Sequence, residues 1–161
     1  MPLNIRPAEK VDAATILNFI QQLANYEKEP EAVVNSVAQI EQRLFGSEIH
    51  AHALICEQDG VAIGFAVYFF NYSTWLGQYG LYLEDLYVSQ DQRGQGAGKA
   101  LMAYLARLAV AKDCGRFEWS VLDWNQSAID FYHSIGAQPQ DEWIAYRLSG
   151  KNLKLFASIE G

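Results

Sequence analysis

Arg93-Gly94-Gln95-Gly96-Ala97-Gly98-Lys99 lies between the apolar run Leu81 to Val88 and the helical run Leu101 to Ala109, and this stretch decides the fold. Glycines at alternate positions let the backbone pass close to a ligand and turn its N–H groups inward, and a helix opening there adds its positive dipole end. Strand, loop and helix together describe a pocket for a pyrophosphate. A Walker loop is excluded, because it needs a glycine where Arg93 stands and a Ser or Thr where Ala100 stands, so no magnesium ligand is offered. The dinucleotide fingerprint Gly-x-Gly-x-x-Gly fails too, since its third glycine falls on Lys99 or on Leu101. What fits is Arg-x-x-Gly-x-Gly on Arg93, Gly96 and Gly98.

Upstream of the loop, Ile5-Arg6-Pro7-Ala8 predicts a short strand, and Ile16, Phe19, Ile20 and Leu23 recur at helical spacing with Asp12 near the helix start. A polar loop from Asn25 to Pro30 is followed by a second predicted helix from Glu31 to Phe45, with Val33, Val37, Ile40 and Leu44 on one side. His52 to Glu57 and Val61 to Phe70 predict an antiparallel pair, because Asp59-Gly60 supplies hairpin chemistry between them. Turn residues from Asn71 to Gln78 lead into the strand Leu81 to Val88. Downstream, the helix closes near Cys114-Gly115, Phe117 to Leu122 predicts a strand, and Asn125 caps a short helix through Ile135 that Gly136 ends. Trp143 to Leu148 then completes the sheet, with a short element from Lys151 to Phe156. The order β-α-α-β-β-β-α-β-α-β is that of a mixed α/β chain, and 161 residues suit a single domain, 1–161.

Composition narrows the function. Half the residues are hydrophobic, enough for a real core, yet no apolar stretch approaches the length of a membrane span. Asn4, Arg6, Glu9 and Lys10 offer no signal-peptide hydrophobic region, so the cytoplasm is the expected address and no membrane partner is expected. A net charge of −7 argues against a nucleic-acid partner and permits a cationic amine. Cys56 and Cys114 form no CxxC pair, and His50 with His52 lacks a third ligand nearby, so no metal is expected.

The glycine loop resembles the acyl-coenzyme A binding motif of the GNAT superfamily of N-acetyltransferases. That resemblance implies a central mixed sheet with splayed strands and flanking helices. Ile5-Arg6-Pro7-Ala8, Leu23-Ala24-Asn25-Tyr26-Glu27, Tyr72-Ser73-Thr74-Trp75, Tyr82 to Val88, Asp123-Trp124-Asn125-Gln126 and Phe131-Tyr132 extend the likeness, in collinear order, to the diamine acetyltransferase family. Within that family the chain is nearer the thialysine-acetylating branch. The implied activity moves an acetyl group from acetyl-CoA to a primary amine of a small molecule by direct attack.

Such a transfer makes four demands. An alkyl amine of pKa about 10.4 must lose a proton, which costs roughly 4–5 kcal/mol near pH 7. Glu84 matches the family's base position, whereas strand alternation points its neighbour Asp85 to the opposite face and to a structural job. The oxyanion of the tetrahedral intermediate needs backbone donors, and the resemblance assigns main-chain contacts to Leu86, Tyr87 and Val88 beside a strand bulge. The departing thiolate benefits from an acid, for which Tyr132 matches the family's tyrosine. Finally the cofactor must be held, which the resemblance assigns to Arg93, Gly94, Gln95, Gly96, Ala97, Gly98 and Lys99 and to Asn125, Gln126, Ser127 and Ala128. Arg93 either meets phosphate or pairs with a surface acid, and Lys99 either meets phosphate or is solvated.

For the acceptor, Tyr26, Glu27 and Glu84 fit family positions that meet the amine, and Glu118 and Trp119 fall on a strand bordering its channel. Ser73 stands where the polyamine enzyme carries an acid, which favours a shorter amine or an amino-acid side chain over spermine. Family members commonly pair, so a homodimer is expected. The competing readings are a protein, peptide or antibiotic amine as acceptor, and a non-catalytic acetyl-CoA-binding module.

Overall fold

A computed structural model describes residues 2–160. The chain divides into two compact units, Met1–Leu122 and Asp123–Gly161.

The first unit is a five-stranded sheet in the order β1-β2-β3-β4-β5, made of β1 (Leu3–Pro7), β2 (His52–Gln58), β3 (Val61–Ser73), β4 (Gln78–Val88) and β5 (Arg116–Trp119). β1 to β4 pair antiparallel and β5 joins β4 in parallel, so the sheet is mixed, as the glycine-loop resemblance implied. The β2–β3 hairpin turns on Asp59 and Gly60, whose φ values of 54° and 77° are those a two-residue loop of this kind requires.

Helices cover both faces. α1 (Ala13–Tyr26) buries Ala13, Ile16, Phe19 and Ala24, three or four residues apart or nearly so, and with Ile40 of α2 (Val37–Phe45) it packs on Ala53, Ile55, Phe65 and Tyr87. Phe19 stacks on Phe65 with ring centroids 5.6 Å apart. Leu54, Cys56 and Ala66, also buried, alternate to the other face, where α3 (Ala97–Ala111) contributes Leu101, Met102 and Leu105. Asp12 does not cap α1 with its side chain. It accepts the Glu9 N–H at 2.7 Å in the preceding turn and holds the Arg6 guanidinium through both oxygens at 2.8 and 2.9 Å, tying β1 to the helix start.

Several elements differ from expectation, among them β3, which runs on to Ser73, and β4, which starts at Gln78, both in the stretch expected to be a turn. The second helix starts at Val37 and not at Glu31, because Ser36 Oγ accepts the Gln39 N–H at 3.2 Å and caps it there. β5 stops at Trp119, short of Leu122. Trp143 to Leu148 forms no strand. Its β-propensity is high, but propensity alone does not make a strand, and Ile144 and Tyr146 stay largely exposed.

The second unit holds α4 (Gln126–Ser134) and α5 (Gly150–Ala157). Asn125 caps α4 by accepting the Ala128 N–H, as expected. At the other end Gly136 has φ 89°, with Ala137 N–H on Tyr132 O and Gly136 N–H on His133 O, both at 3.1 Å, a Schellman closure.

Candidate active site

The loop after β4 is built as its glycines suggest. Gly94 and Gly96 both have φ 84°, a left-handed conformation that a side chain resists, and Gly96 opens α3 with no side-chain oxygen over its first turn. The N–H groups of that turn therefore face outward with the dipole of a 15-residue helix behind them. Gly98 is different. It sits in helical conformation, and a Cβ added there would meet only Leu86 Cδ2 at 4.0 Å, so nothing in the chain itself demands a glycine. The space it leaves beside the first turn suits a phosphate, and the residues present fit an acyl-CoA pyrophosphate. Lys99 is exposed at the same helix start.

β4 leaves β5 at a defined point. The parallel rungs run from Gly80↔Arg116 through Tyr82↔Glu118 to Leu83↔Trp119 and end, while β4 continues to Val88. Main-chain groups of residues 84 to 88 that point toward the β5 side thus have no strand partner, the arrangement wanted for Leu86, Tyr87 and Val88. Tyr87 and Val88 side chains are buried as core. Glu118 and Trp119 lie on the last two rungs, bordering the place where the strands part.

A bulge falls at the same place. Tyr68 pairs with Leu83 and Val67 with Asp85, so Glu84 is the extra residue. The expectation for Asp85 is corrected by this geometry. One added residue cancels the alternation between neighbours and turns Asp85 toward the face of Val67, Phe65 and Tyr87, the α1 side. Asp85 is pushed up from 3.8 to about 6, first by burial, then by the negative charges of Glu84 and Glu27. Burial also raises the Glu27 carboxyl, at the end of α1. Glu84 itself is exposed. The first unit therefore gathers Glu27, Glu84 and Asp85 within electrostatic reach of one another, with Tyr26 next to Glu27.

Ser73 is not brought to this cluster. It pairs with Gln78 at the far end of the β3–β4 hairpin, five residues beyond the Tyr68↔Leu83 rung or roughly 17 Å along the strand. Its hydroxyl accepts the Leu76 N–H at 3.1 Å and shapes the turn.

In the second unit, Tyr132 lies in the last turn of α4, its carbonyl fixed by the Schellman closure. Burial raises its phenol, which keeps the proton in place at neutral pH. Gln126 is tied to Asp130 at 2.7 Å and Ser127 lies close to Asn125 Oδ1, so the helix start is ordered by its own side chains.

Among the described residues there is no cluster of His, Cys, Asp and Glu that could hold a metal, and no helix is long and apolar enough to cross a membrane. The carboxyl whose side alternation concealed is that of Asp85. Its signal was the acidic pair Glu84-Asp85, which only the bulge resolves.

The family model that matches residues 18–137 is described as acetyltransferase (GNAT) family. A thialysine N-epsilon-acetyltransferase of Sus scrofa is 36% identical over 164 residues, covering 95% of this chain and 96% of its own length. An L-ornithine N5-acetyltransferase of Arabidopsis thaliana is 43% identical over 96 residues, covering 60% of this chain and 42% of its own. Among solved structures, an integron cassette protein from the mobile metagenome of V. cholerae superposes with a TM-score of 0.83 at 26% identity, covering 99% of both chains. Matched by that family model over most of its length and by a relative 36% identical across 95% of it, the chain belongs to the GNAT acetyltransferase family and is an acetyl-CoA-dependent N-acetyltransferase.

Proposed function

We propose that this protein acetylates the primary amine of a small molecule, favouring a lysine-like amino acid or a short diamine over a long polyamine, with both units forming one catalytic domain. The observation that carries this is the cluster of Glu27, Glu84 and Asp85 at the point where β4 leaves β5. A half-buried carboxyl that burial and the negative charges of Glu84 and Glu27 push up calls for a cation, and an alkyl ammonium supplies it. The relatives named for thialysine and L-ornithine, amino acids with side-chain amines, agree in substrate class. Ser73 offers no carboxylate to a remote second ammonium, and its hydroxyl is engaged in the turn.

Bound acetyl-CoA would supply an acyl carbon activated as a thioester, and the residues that would hold it are 94 to 99 through their amides and Asn125, Gln126, Ser127 and Ala128 at the start of α4. Glu84 takes the proton that the ammonium must lose, directly or through one water. Asp85 and Glu27 hold the ammonium, while Tyr26 and Trp119 shape its channel and Glu118 adds negative charge. In the stretch Leu86, Tyr87 and Val88, the main-chain N–H groups that point away from β3 face the developing oxyanion. Tyr132, its proton retained by burial, donates to the departing thiolate. We place the protein in the cytoplasm as a homodimer, in which a second copy covers the exposed apolar row Ile144, Tyr146 and Leu148 and the α5 residues Leu155 and Phe156.

Thiol release with acetyl-CoA and a panel of amines tests the acceptor. We expect thialysine, lysine or ornithine and short diamines to turn over with kcat/KM at least about tenfold above spermine and above peptide amines, a difference of about 1.4 kcal/mol. Peptide activity alone would reverse the choice. The cradle is tested separately. Gly98→Ala should stabilise the fold by up to about 1 kcal/mol, because alanine is the better helix former. The same methyl should weaken CoA binding about tenfold or more by standing where the phosphate approaches. Thermal melts and calorimetry with CoA read the two effects, and a stabilised variant with undiminished affinity would remove Gly98 from the cradle.

A further inference from the structure

Arg93 opens the cofactor loop, yet its side chain turns back into the first unit. Its Cζ lies 4.6 Å from the centroid of the Tyr26 ring and 5.2 Å from that of Tyr87. Its Nε donates to the carbonyl of Val88 at 3.0 Å. Among the described residues it forms no ion pair, so the surface-acid alternative is not realised. These contacts come from two places: the last residue of α1 and the last two residues of β4. A planar, delocalised guanidinium can lie over aromatic rings and use one in-plane N–H at the same time, which an ammonium cannot do.

The location of Tyr26 gives these contacts a functional meaning. It immediately precedes Glu27, whose carboxylate is felt by Asp85. Gly94 and Gly96, both with φ 84°, allow the loop many courses, so the residue that anchors its first position fixes where its amides lie. One guanidinium thus joins the loop that holds the donor to the helix end that meets the acceptor.

We propose that Arg93 is a positioning residue for the amine site: through Tyr26 it sets the pose of Glu27 relative to the cofactor loop, in addition to any effect on cofactor affinity. The inference rests on the acetyl-transfer reading above. A phosphate ligand would act only on donors that carry phosphates. A positioning residue acts on the amine whichever donor is used.

The experiment compares Arg93→Lys with the parent, using acetyl-CoA and acetyl-pantetheine, which lacks the pyrophosphate, as donors and the best amine of the panel as acceptor. We expect amine KM to rise about three- to tenfold, by the same factor with both donors, the size of effect a cation over aromatic rings provides. An unchanged amine KM, or a defect seen with acetyl-CoA alone, overturns the proposal. Should Arg93→Lys fail to fold, Tyr26→Ala gives the reciprocal reading. Removing the ring from the acceptor side must weaken CoA binding by calorimetry about threefold, and unchanged binding overturns the link. A parent protein that acetylates no amine defeats the function itself. An active parent whose variants show none of these changes defeats only the role of Arg93.

Discussion

Replacing Glu84 with glutamine is expected to lower kcat by about 10²- to 10³-fold at saturating amine while CoA binding stays within a factor of about two. The substitution keeps side-chain length and amide–carboxyl shape, and Glu84 is exposed at the bulge, so the fold should hold within about 0.5 kcal/mol. What disappears is the group that relieves the ammonium of its proton, a step costing roughly 4–5 kcal/mol near neutral pH without help. The loss should shrink as the pH of the assay approaches the amine's own pKa, because free amine then becomes abundant and a base matters less. Steady-state thiol release across pH 7 to 10, with calorimetry on the same preparation, provides the check. A variant with parental kcat at pH 7 would take the base role away from Glu84.

Asp85→Asn should stabilise the protein by about 2–3 kcal/mol at pH 7.5, and weaken amine binding about tenfold or more. The sign follows from the raised carboxyl, about 6 in the folded chain against 3.8 in the reference state. Between those values the folded chain holds more protons than the unfolded one, so wild-type stability falls as pH rises through this window. The full penalty, of order 3 kcal/mol at about 1.36 kcal/mol per unit, is reached above pH 6 and is absent below about pH 4. Asparagine does not titrate, so the variant's advantage should be present at pH 7.5 and vanish at pH 4. Urea melts at the two pH values measure it. An advantage independent of pH would mean that Asp85 is not the strained carboxyl. The expected weakening of amine binding reflects the lost charge-assisted contact to ammonium. Stability gained and function lost at one residue is the pattern of a site held against the preference of the fold.

Much of this was legible in the chain. Asp59-Gly60 gave its hairpin, Asn125 and Gly136 bounded α4, and the glycine loop announced the cradle, because each acts through backbone conformation or hydrogen bonds a few residues away. The second helix was placed too early by following Val33 and Val37. The better signal was Ser36-Val37-Ala38-Gln39, a capping pattern that the structure uses. Trp143 to Leu148 has strand residues but forms no strand, an outcome set by tertiary context that no local pattern reports. The side on which Asp85 lies depends on pairing with β3, and the place of Arg93 depends on where α1 ends, both contacts between residues remote in sequence.

The bulge at Glu84 also sets the phase of everything after it on β4. Leu81 and Leu83 pair with Phe70 and Tyr68, whereas Asp85 and Tyr87, odd-numbered like them, pair with Val67 and Phe65 on the opposite side. Deleting Glu84 would close the ladder into simple alternation with every pair kept, Leu83 on Tyr68 and Asp85 on Val67, so Tyr87 would stay under Phe19 and Asp85 on the α1 side. A chain of this design can lose that one residue and keep its interior, whereas a slip that pairs Glu84 with Val67 would set Asp85 opposite Ala66 and Tyr87 opposite Gly64, beneath α3.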